Sequence, residues 1–301
     1  MSEQPKKECC IEGEDMISIL PDEILVRVLS LLSAKEVTRC GVLSRRWTTL
    51  PKLIPMALKF FRKFRSPYLT SLAEEEKFIR HVNQVLDSYP GETLAEFSIS
   101  YELMDLPLDI CSQLSNWVQF AMGKKVVKFE LDLSRLGGTG IPYGRYQFPP
   151  IPIGSPICTS LTELRLHSVD VTDEHIKYFL ECSPFLHSLS VIGSDTLTSL
   201  KVDGSVPLKF LEIRCCYNLV IFEISAPNLI SFKYNSHPVT GMQSMPLKCA
   251  PQLNELGVAF GFYNFLIDNF PLFTSYFARI ETLSLAVVTA QVSVHVSSNL
   301  F

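Results

Sequence analysis

The chain has 301 residues, room for two domains at about 100–200 residues each. It is 47% hydrophobic and only 19% charged, a balance that buries a core and excludes general disorder. The net charge of −4 is uneven: residues 37–73 hold eight basic side chains and no acid, leaving the rest near −12. That asymmetry suits a basic surface facing an acidic protein partner, and no base-reading motif accompanies it to mark nucleic acid.

Residues 1–14 read as a disordered tail, polar and without the apolar stretch of a secretory signal. The longest apolar run, residues 256–267, is too short for a membrane span, which needs about 20 residues. Nine cysteines lie scattered without CxxC spacing, and no Asn-x-Ser/Thr acceptor occurs, so they read as reduced thiols in the nucleus or cytoplasm. The adjacent pairs Cys9-Cys10 and Cys215-Cys216 lack further ligands at metal spacing, and no metal or cofactor is expected.

The first elements crowd into residues 15–55. Pro21 stands where a helix starts, because its missing N–H costs nothing there. Asp22 and Glu23 suit the positive end of the helix dipole, and Ile24, Leu25, Val28, Leu29 and Leu32 recur at helical spacing. Ser33-Ala34-Lys35-Glu36 has the form of a capping box, with Leu32 and Val37 as its hydrophobic staple, so a second helix begins at Ala34. A third runs through Val42, Leu43 and Trp47 and stops before Pro51. Three such helices carry more apolar surface than they can share internally, and a unit this small needs outside help.

The segment Leu20-Pro21-Asp22-Glu23-Ile24-Leu25, followed by Val42-Leu43-Ser44-Arg45-Arg46-Trp47, resembles the F-box over residues 19–50. The resemblance implies docking onto a Skp-type adaptor and, through it, a cullin–RING ubiquitin ligase. By the family pattern Leu20 and Pro21 lie at the docking surface, with Ile24, Leu25, Val28 and Leu43 beside them, while Trp47 anchors the module's own packing.

Residues 56–90 read as a helical linker. Lys59-Phe60-Phe61-Arg62-Lys63-Phe64-Arg65 interleaves bases with aromatics, buried rings under snorkelling cations. Residues 72–86 then form a helix with Phe78, Ile79, Val82, Val85 and Leu86 on one face, ended by Tyr89-Pro90-Gly91.

From residue 91 onward one pattern recurs, apolar-x-x-apolar-x-apolar. It appears at Leu94/Phe97/Ile99, Val126/Phe129/Leu131, Leu161/Leu164/Leu166, Leu186/Leu189/Val191, Leu208/Leu211/Ile213, Leu229/Phe232/Tyr234, Leu253/Leu256/Val258 and Ile280/Leu283/Leu285. From Leu161 the starts are 25, 22, 21, 24 and 27 residues apart, within the leucine-rich-repeat range, and the first two intervals, 32 and 35, are longer. A second series, Leu197/Leu200/Val202 and Leu219/Phe222/Ile224, falls midway and predicts extended outer segments. Asp173–Cys182 reads as a helix capped by Thr172. Each unit has too little core alone, and stacking makes the leucines one continuous interior. The predicted fold is α+β: a three-helix F-box (15–55), a helical linker (56–90) and an irregular leucine-rich-repeat solenoid (91–301). The ending, residues 292–301, shows no polar cap and reads as that of a shortened isoform or fragment, with no clear FBD region. Together these features resemble the plant F-box/leucine-rich-repeat family.

Side chains alternate along each inner strand. With the leucines inward, Glu163, Arg165 and His167 point out on the concave face, as do Phe210, Glu212 and Arg214, and Ser231, Lys233 and Asn235. These are the candidate contacts for a protein target. No catalytic residue emerges. Gly137-Gly138-Thr139-Gly140 lacks the Gly-Lys-Ser/Thr of a phosphate loop and reads as a long loop. His167 and His175 near Asp170 and Asp173 straddle a strand, a turn and a helix start, and the acids serve that turn. The reading is a non-catalytic, substrate-recognition subunit of a Skp–cullin–F-box ligase; the alternative is a repeat scaffold that binds proteins without a ligase role.

Overall fold

Apolar side chains at every second position make strands, and strands that recur with one register make a sheet. The structure, a computed structural model, describes residues 17, 19–32, 34–42, 45–62, 72–101, 108–134, 146–151, 158–204, 207–235, 247–259, 279–287 and 290–295. The chain opens with three short helices, α1 (Asp22–Leu29), α2 (Ala34–Cys40) and α3 (Arg45–Thr49), followed by a 3-10 turn at Leu50–Leu53. Ten strands then line one sheet: β1 (Met56–Arg62), β2 (Leu94–Tyr101), β3 (Lys128–Asp132), β5 (Glu163–His167), β7 (Ser188–Ile192), β9 (Phe210–Arg214), β11 (Ser231–Asn235), β13 (Glu255–Ala259), β14 (Thr282–Val287) and β15 (Ala290–His295). Neighbours pair in parallel from β1 to β14, and β15 closes on β14 antiparallel.

Between these strands the chain crosses to a second wall. It carries α4 (Leu72–Asp87) and α5 (Leu108–Gly123), then β4 (Tyr146–Gln147) and β6 (Val169–Asp170), then α6 (Asp173–Cys182), and last β8 (Ser199–Val202), β10 (Ile221–Ser225) and β12 (Leu247–Cys249). Interval length decides what fills the wall. Long crossings accommodate sixteen-residue helices, α4 and α5. Shorter crossings leave room only for three to five extended residues, and β8, β10 and β12 form a small parallel sheet there. The outer strands thus follow the midway series of apolar residues, and α6 has the bounds and the Thr172 cap read from the sequence.

The core lies between the two walls. Register places Leu58, Phe97, Phe129, Leu164, Leu189, Leu211, Phe232 and Leu256 in one row across the sheet, all buried. Phe97 and Phe129 stack within it at 5.9 Å and 12°. The helices seal the first coils: the Trp117 indole donates to Asn83 Oδ1 at 2.7 Å, and Asn83 Nδ2 donates to Gln113 Oε1 at 3.1 Å, joining α4 to α5.

A repeated turn sets the stacking. Ser168, Gly193 and Cys215 each follow an inner strand with positive φ (54°, 72° and 53°). Their N–H groups donate to the last carbonyl of the next strand, at Ile192, Arg214 and Asn235. The left-handed conformation aims each N–H sideways at the neighbouring coil, and only Gly193 adopts it without the Cβ clash that other residues pay.

Two expectations are corrected here. The helical linker over 56–90 begins instead with β1, whose alternate residues Met56, Leu58, Phe60 and Arg62 are buried while Ala57, Lys59 and Phe61 are exposed. Period two therefore governs this segment, and the sheet starts at Met56 rather than near residue 91. Arg62 is buried because its guanidinium lies 4.9 Å from the Tyr101 ring centre and bonds the Tyr101 hydroxyl, which in turn donates to Glu75 Oε1 at 3.0 Å. The second is α5, a helix that sequence reading left out of the long interval after Leu94. Ser33, Lys63, Phe64, Arg65 and the loop at 137–140 lie outside the described residues.

Candidate functional site: a docking stripe and a polar hollow

The N-terminal helices divide their apolar residues between two faces. Leu25, Leu29, Val37, Trp47, Leu50 and Ile54 are buried. Arg46 fixes the start of α1: Nη2 donates to the Leu20 carbonyl at 2.5 Å and Nε to Asp22 Oδ1 at 2.6 Å. The opposite face is open. Ile24 and Val28 are each 46% exposed, Pro21 is exposed and Leu20 is half-buried. Leu31, in the turn that follows α1, is exposed, as are Ile17, Ile19 and Val42. These four were missed; the spacing 24, 28, 31 was the signal that held Leu31. Leu25, expected on the docking surface, is instead 0% exposed. One residue along a helix is a turn of about 100°, enough to take a side chain from surface to core. Leu43 lies outside the described residues.

The polar face of the ten-stranded sheet carries the second group. Register sets Arg165, Ser190, Glu212 and Lys233 in one row and Glu163, Ser188, Phe210, Ser231 and Glu255 in the next. A hollow of about 370 Å³ opens among them. Its centre is low because three serines stand there, and Ser190 and Ser231 are buried. Phe210, 43% exposed, rises between Ser188 and Ser231.

Ion pairs bound the hollow on both sides. On one, Lys128 Nζ lies 2.5 Å from Glu163 Oε1, with Arg165 at 3.3 Å from Oε2 and His187 Nε2 at 3.8 Å. On the other, Lys233 Nζ lies 2.9 Å from Glu255 Oε1. The Lys233 stem crosses Gly257, where a Cβ would come within 3.0 Å of its Cγ. Burial pushes the Glu163 carboxyl up, but the Lys128 ammonium bonded to it, with Arg165 and His187 close by, outweighs burial and holds it below its ordinary value. Glu255 is held low in the same way, by Ser231 and Lys233 against burial.

The structure puts Glu163, Arg165, Phe210, Glu212 and Lys233 on one face and brings them together around one hollow. Ser231 is a correction: it is buried on this face, where it bonds the Glu255 carboxylate. His167, Arg214 and Asn235 lie one row further along, with His167 Nε2 3.3 Å from Ser190 Oγ. His187 and Glu255 were missed, because only the stacking of the coils brings them into the hollow that Phe210 lines.

The histidines and acids weighed for chemistry serve the fold. His175 Nδ1 accepts from the Thr172 N–H at 3.2 Å in the α6 cap. Asp170 accepts from the Asp195 N–H, and Asp173 from the N–H groups of Thr198 and Ser199, each at 2.8 Å. Among the described residues no three His, Cys, Asp or Glu gather as metal ligands, and no helix is long and apolar enough to cross a membrane.

Two family models match the chain, one over each part. An F-box-like family model matches residues 17–50, and the model described as At1g61320/AtMIF1, LRR domain, matches residues 145–301. FBD-associated F-box protein At5g56370 of Arabidopsis thaliana is 27% identical over 266 residues, covering 85% of this chain and 57% of that protein. F-box/LRR-repeat protein At3g26922 of the same plant is 28% identical over 274 residues, 83% of this chain and 85% of its own length. F-box/LRR-repeat protein At3g03360, also from Arabidopsis thaliana, is 26% identical over 238 residues, 72% of this chain and 47% of its own. The chain spans about half the length of most curated relatives it matches. With an N-terminal F-box followed by a leucine-rich-repeat domain, the chain belongs to the plant F-box/leucine-rich-repeat family.

Proposed function

We propose that this protein is a substrate-recognition subunit of a Skp–cullin–F-box ubiquitin ligase, working in the nucleus or cytoplasm. In this reading α1, α2 and α3 are the three helices of an F-box spanning residues 15–55, and the two walls are a leucine-rich-repeat solenoid. The F-box stripe docks a Skp-type adaptor and the polar sheet face holds a protein target. The chain does no chemistry itself; it raises the concentration of the target near a ubiquitin-loaded enzyme.

One observation carries the reading. Ile24 and Val28, two of the three α1 residues that the family pattern puts at the docking surface, are open, while Leu25 and Leu29 on the other face are packed. A contiguous exposed apolar stripe on a small unit marks an interaction site. The test is co-purification of adaptor and cullin with the full chain and with Pro21→Ala/Ile24→Asp. The intact chain captures both, and the folded variant captures neither; capture by a folded variant refutes the assignment.

A further inference from the structure

The polar hollow is lined by three carboxylates, Glu163, Glu212 and Glu255, and two cations, Arg165 and Lys233. Both cations are held by carboxylates other than Glu212. Arg165 pairs with Glu163 on its own strand at 3.3 Å, and Lys128 covers the same carboxylate at 2.5 Å. The Lys233 stem lies over Gly257, on the side of β11 away from β9, and its ammonium reaches Glu255 at 2.9 Å. Glu212 is left with the least compensation. Ser190 donates to its Oε2 at 3.0 Å. The closest cation among the described residues is Arg214, 3.5 Å from Oε1 and not part of the lining. A half-exposed pair at that distance is weak.

Phe210 stands two residues before Glu212 on β9, so both side chains rise from the same face. Serines open the space around them: Ser188 and Ser231 flank the ring, and Ser190 stands beside Glu212. An aromatic ring next to an under-compensated carboxylate suits a cation, because the ring quadrupole and the carboxylate attract the same charge. A guanidinium uses both at once, its plane on the ring and its N–H fork on the carboxylate. An ammonium is a point charge and does neither as well.

We propose that the hollow takes one arginine side chain of the protein target, its guanidinium against the Phe210 ring and paired with Glu212 Oε1. This deepens the reading of the sheet face as the target platform and rests on it. The space over the two groups, about 370 Å³, admits a long side chain. A carboxylate or phosphate in the same place meets Glu212, while both cations of the lining are already held elsewhere.

The test uses the full chain and fluorescein-labelled pentapeptides followed by anisotropy. The parent probe is Ser-Ala-Arg-Ala-Ser, and three others replace its arginine with lysine, citrulline or glutamate. The arginine peptide binds about tenfold more tightly than the citrulline or glutamate peptide, and about threefold more tightly than the lysine peptide. Glu212→Gln, which keeps an acceptor for Ser190, removes the advantage of arginine over uncharged citrulline. Phe210→Ser removes its advantage over lysine. Glu130→Gln deletes a carboxylate from the same face outside the hollow and leaves the arginine peptide unaffected. Equal losses in Glu130→Gln and Glu212→Gln overturn the proposal, because they show an attraction to the whole face. So does tighter binding of the glutamate peptide, or no binding of the arginine peptide at ~1 mM. Unchanged affinity in a Glu212→Gln chain whose circular dichroism matches the parent overturns it too. If Glu212→Gln does not fold, Phe210→Ser decides, and an unchanged preference for arginine over lysine refutes the site. Adaptor capture by the same preparations separates the two readings. Its loss in the parent chain sinks the F-box assignment and leaves the peptide result standing.

Discussion

Truncating Leu25 to alanine, and truncating Ile24 together with Val28 to alanine, separates stability from docking in one helix. Leu25 is fully buried, as are Leu29, Val37 and Leu50 beside a nearly buried Trp47 in the same module. Its loss leaves a cavity and costs about 3 kcal/mol, the middle of the range for buried leucines. Ile24 and Val28 each keep 46% of their surface in solvent. Burying a whole aliphatic side chain is worth about 1.5–3 kcal/mol, so covering the open half of each contributes about 1 kcal/mol. The double variant therefore loses about 2 kcal/mol of docking energy, roughly thirtyfold in Kd. Its own stability falls less than that of Leu25→Ala, because the solvent-facing half of each side chain loses nothing on truncation. Titration calorimetry against a Skp-type adaptor reads the first effect and urea unfolding of the free chain reads the second. An unchanged Kd for Ile24→Ala/Val28→Ala, or an unchanged midpoint for Leu25→Ala, refutes this division of the helix.

Three further outcomes follow from geometry. Asp173→Ala removes the carboxylate that accepts from the Thr198 and Ser199 N–H groups and the Thr198 hydroxyl, tying α6 to β8. It lowers stability by about 1–2 kcal/mol in urea, and Asp173→Asn, which keeps one acceptor oxygen, by less. Ser168→Gly relieves a left-handed backbone at φ 54° and removes a buried hydroxyl that has no partner among the described residues, so it raises the urea midpoint by the equivalent of up to about 1 kcal/mol. A fall in the midpoint would show that the turn stores no strain. Glu163 has a folded pKa held below its unfolded value, so its contribution is present above the unfolded value and lost as pH falls through the folded one. Lys128→Met removes the ammonium that opposes burial. Acid unfolding then begins at higher pH, with a loss near neutrality of roughly 0.5 kcal/mol because the lysine is half-exposed. An acid limb that does not move would rule out the pair.

What the sequence alone determined is periodic. The leucine pattern fixed which residues of β5, β7, β9, β11 and β13 enter the core, and the midway series located β8 and β10. The Thr172 cap located α6. Leu-Pro and Arg-Arg-Trp located the docking module. Tertiary structure decided what neighbouring coils bring together. β1 was hidden because Phe61 breaks the polar face of an otherwise alternating strand. It becomes a strand by pairing seven residues with β2. α5 carries a helical pattern that the reading passed over: Leu114, Trp117, Val118 and Ala121 are buried, and Ser112, Asn116 and Gln119 are exposed on the other face. Leu25 and Ile24 look alike in composition, and only tertiary packing separates them, one buried and one open. The Phe210 hollow had no signal along the chain. The intervals between repeats vary, and the crossings between inner strands absorb the differences, so that Ser188 and Ser231 come to flank Phe210. A periodic pattern says which way a side chain faces. Which side chains meet there depends on the register between strands that lie a whole coil apart.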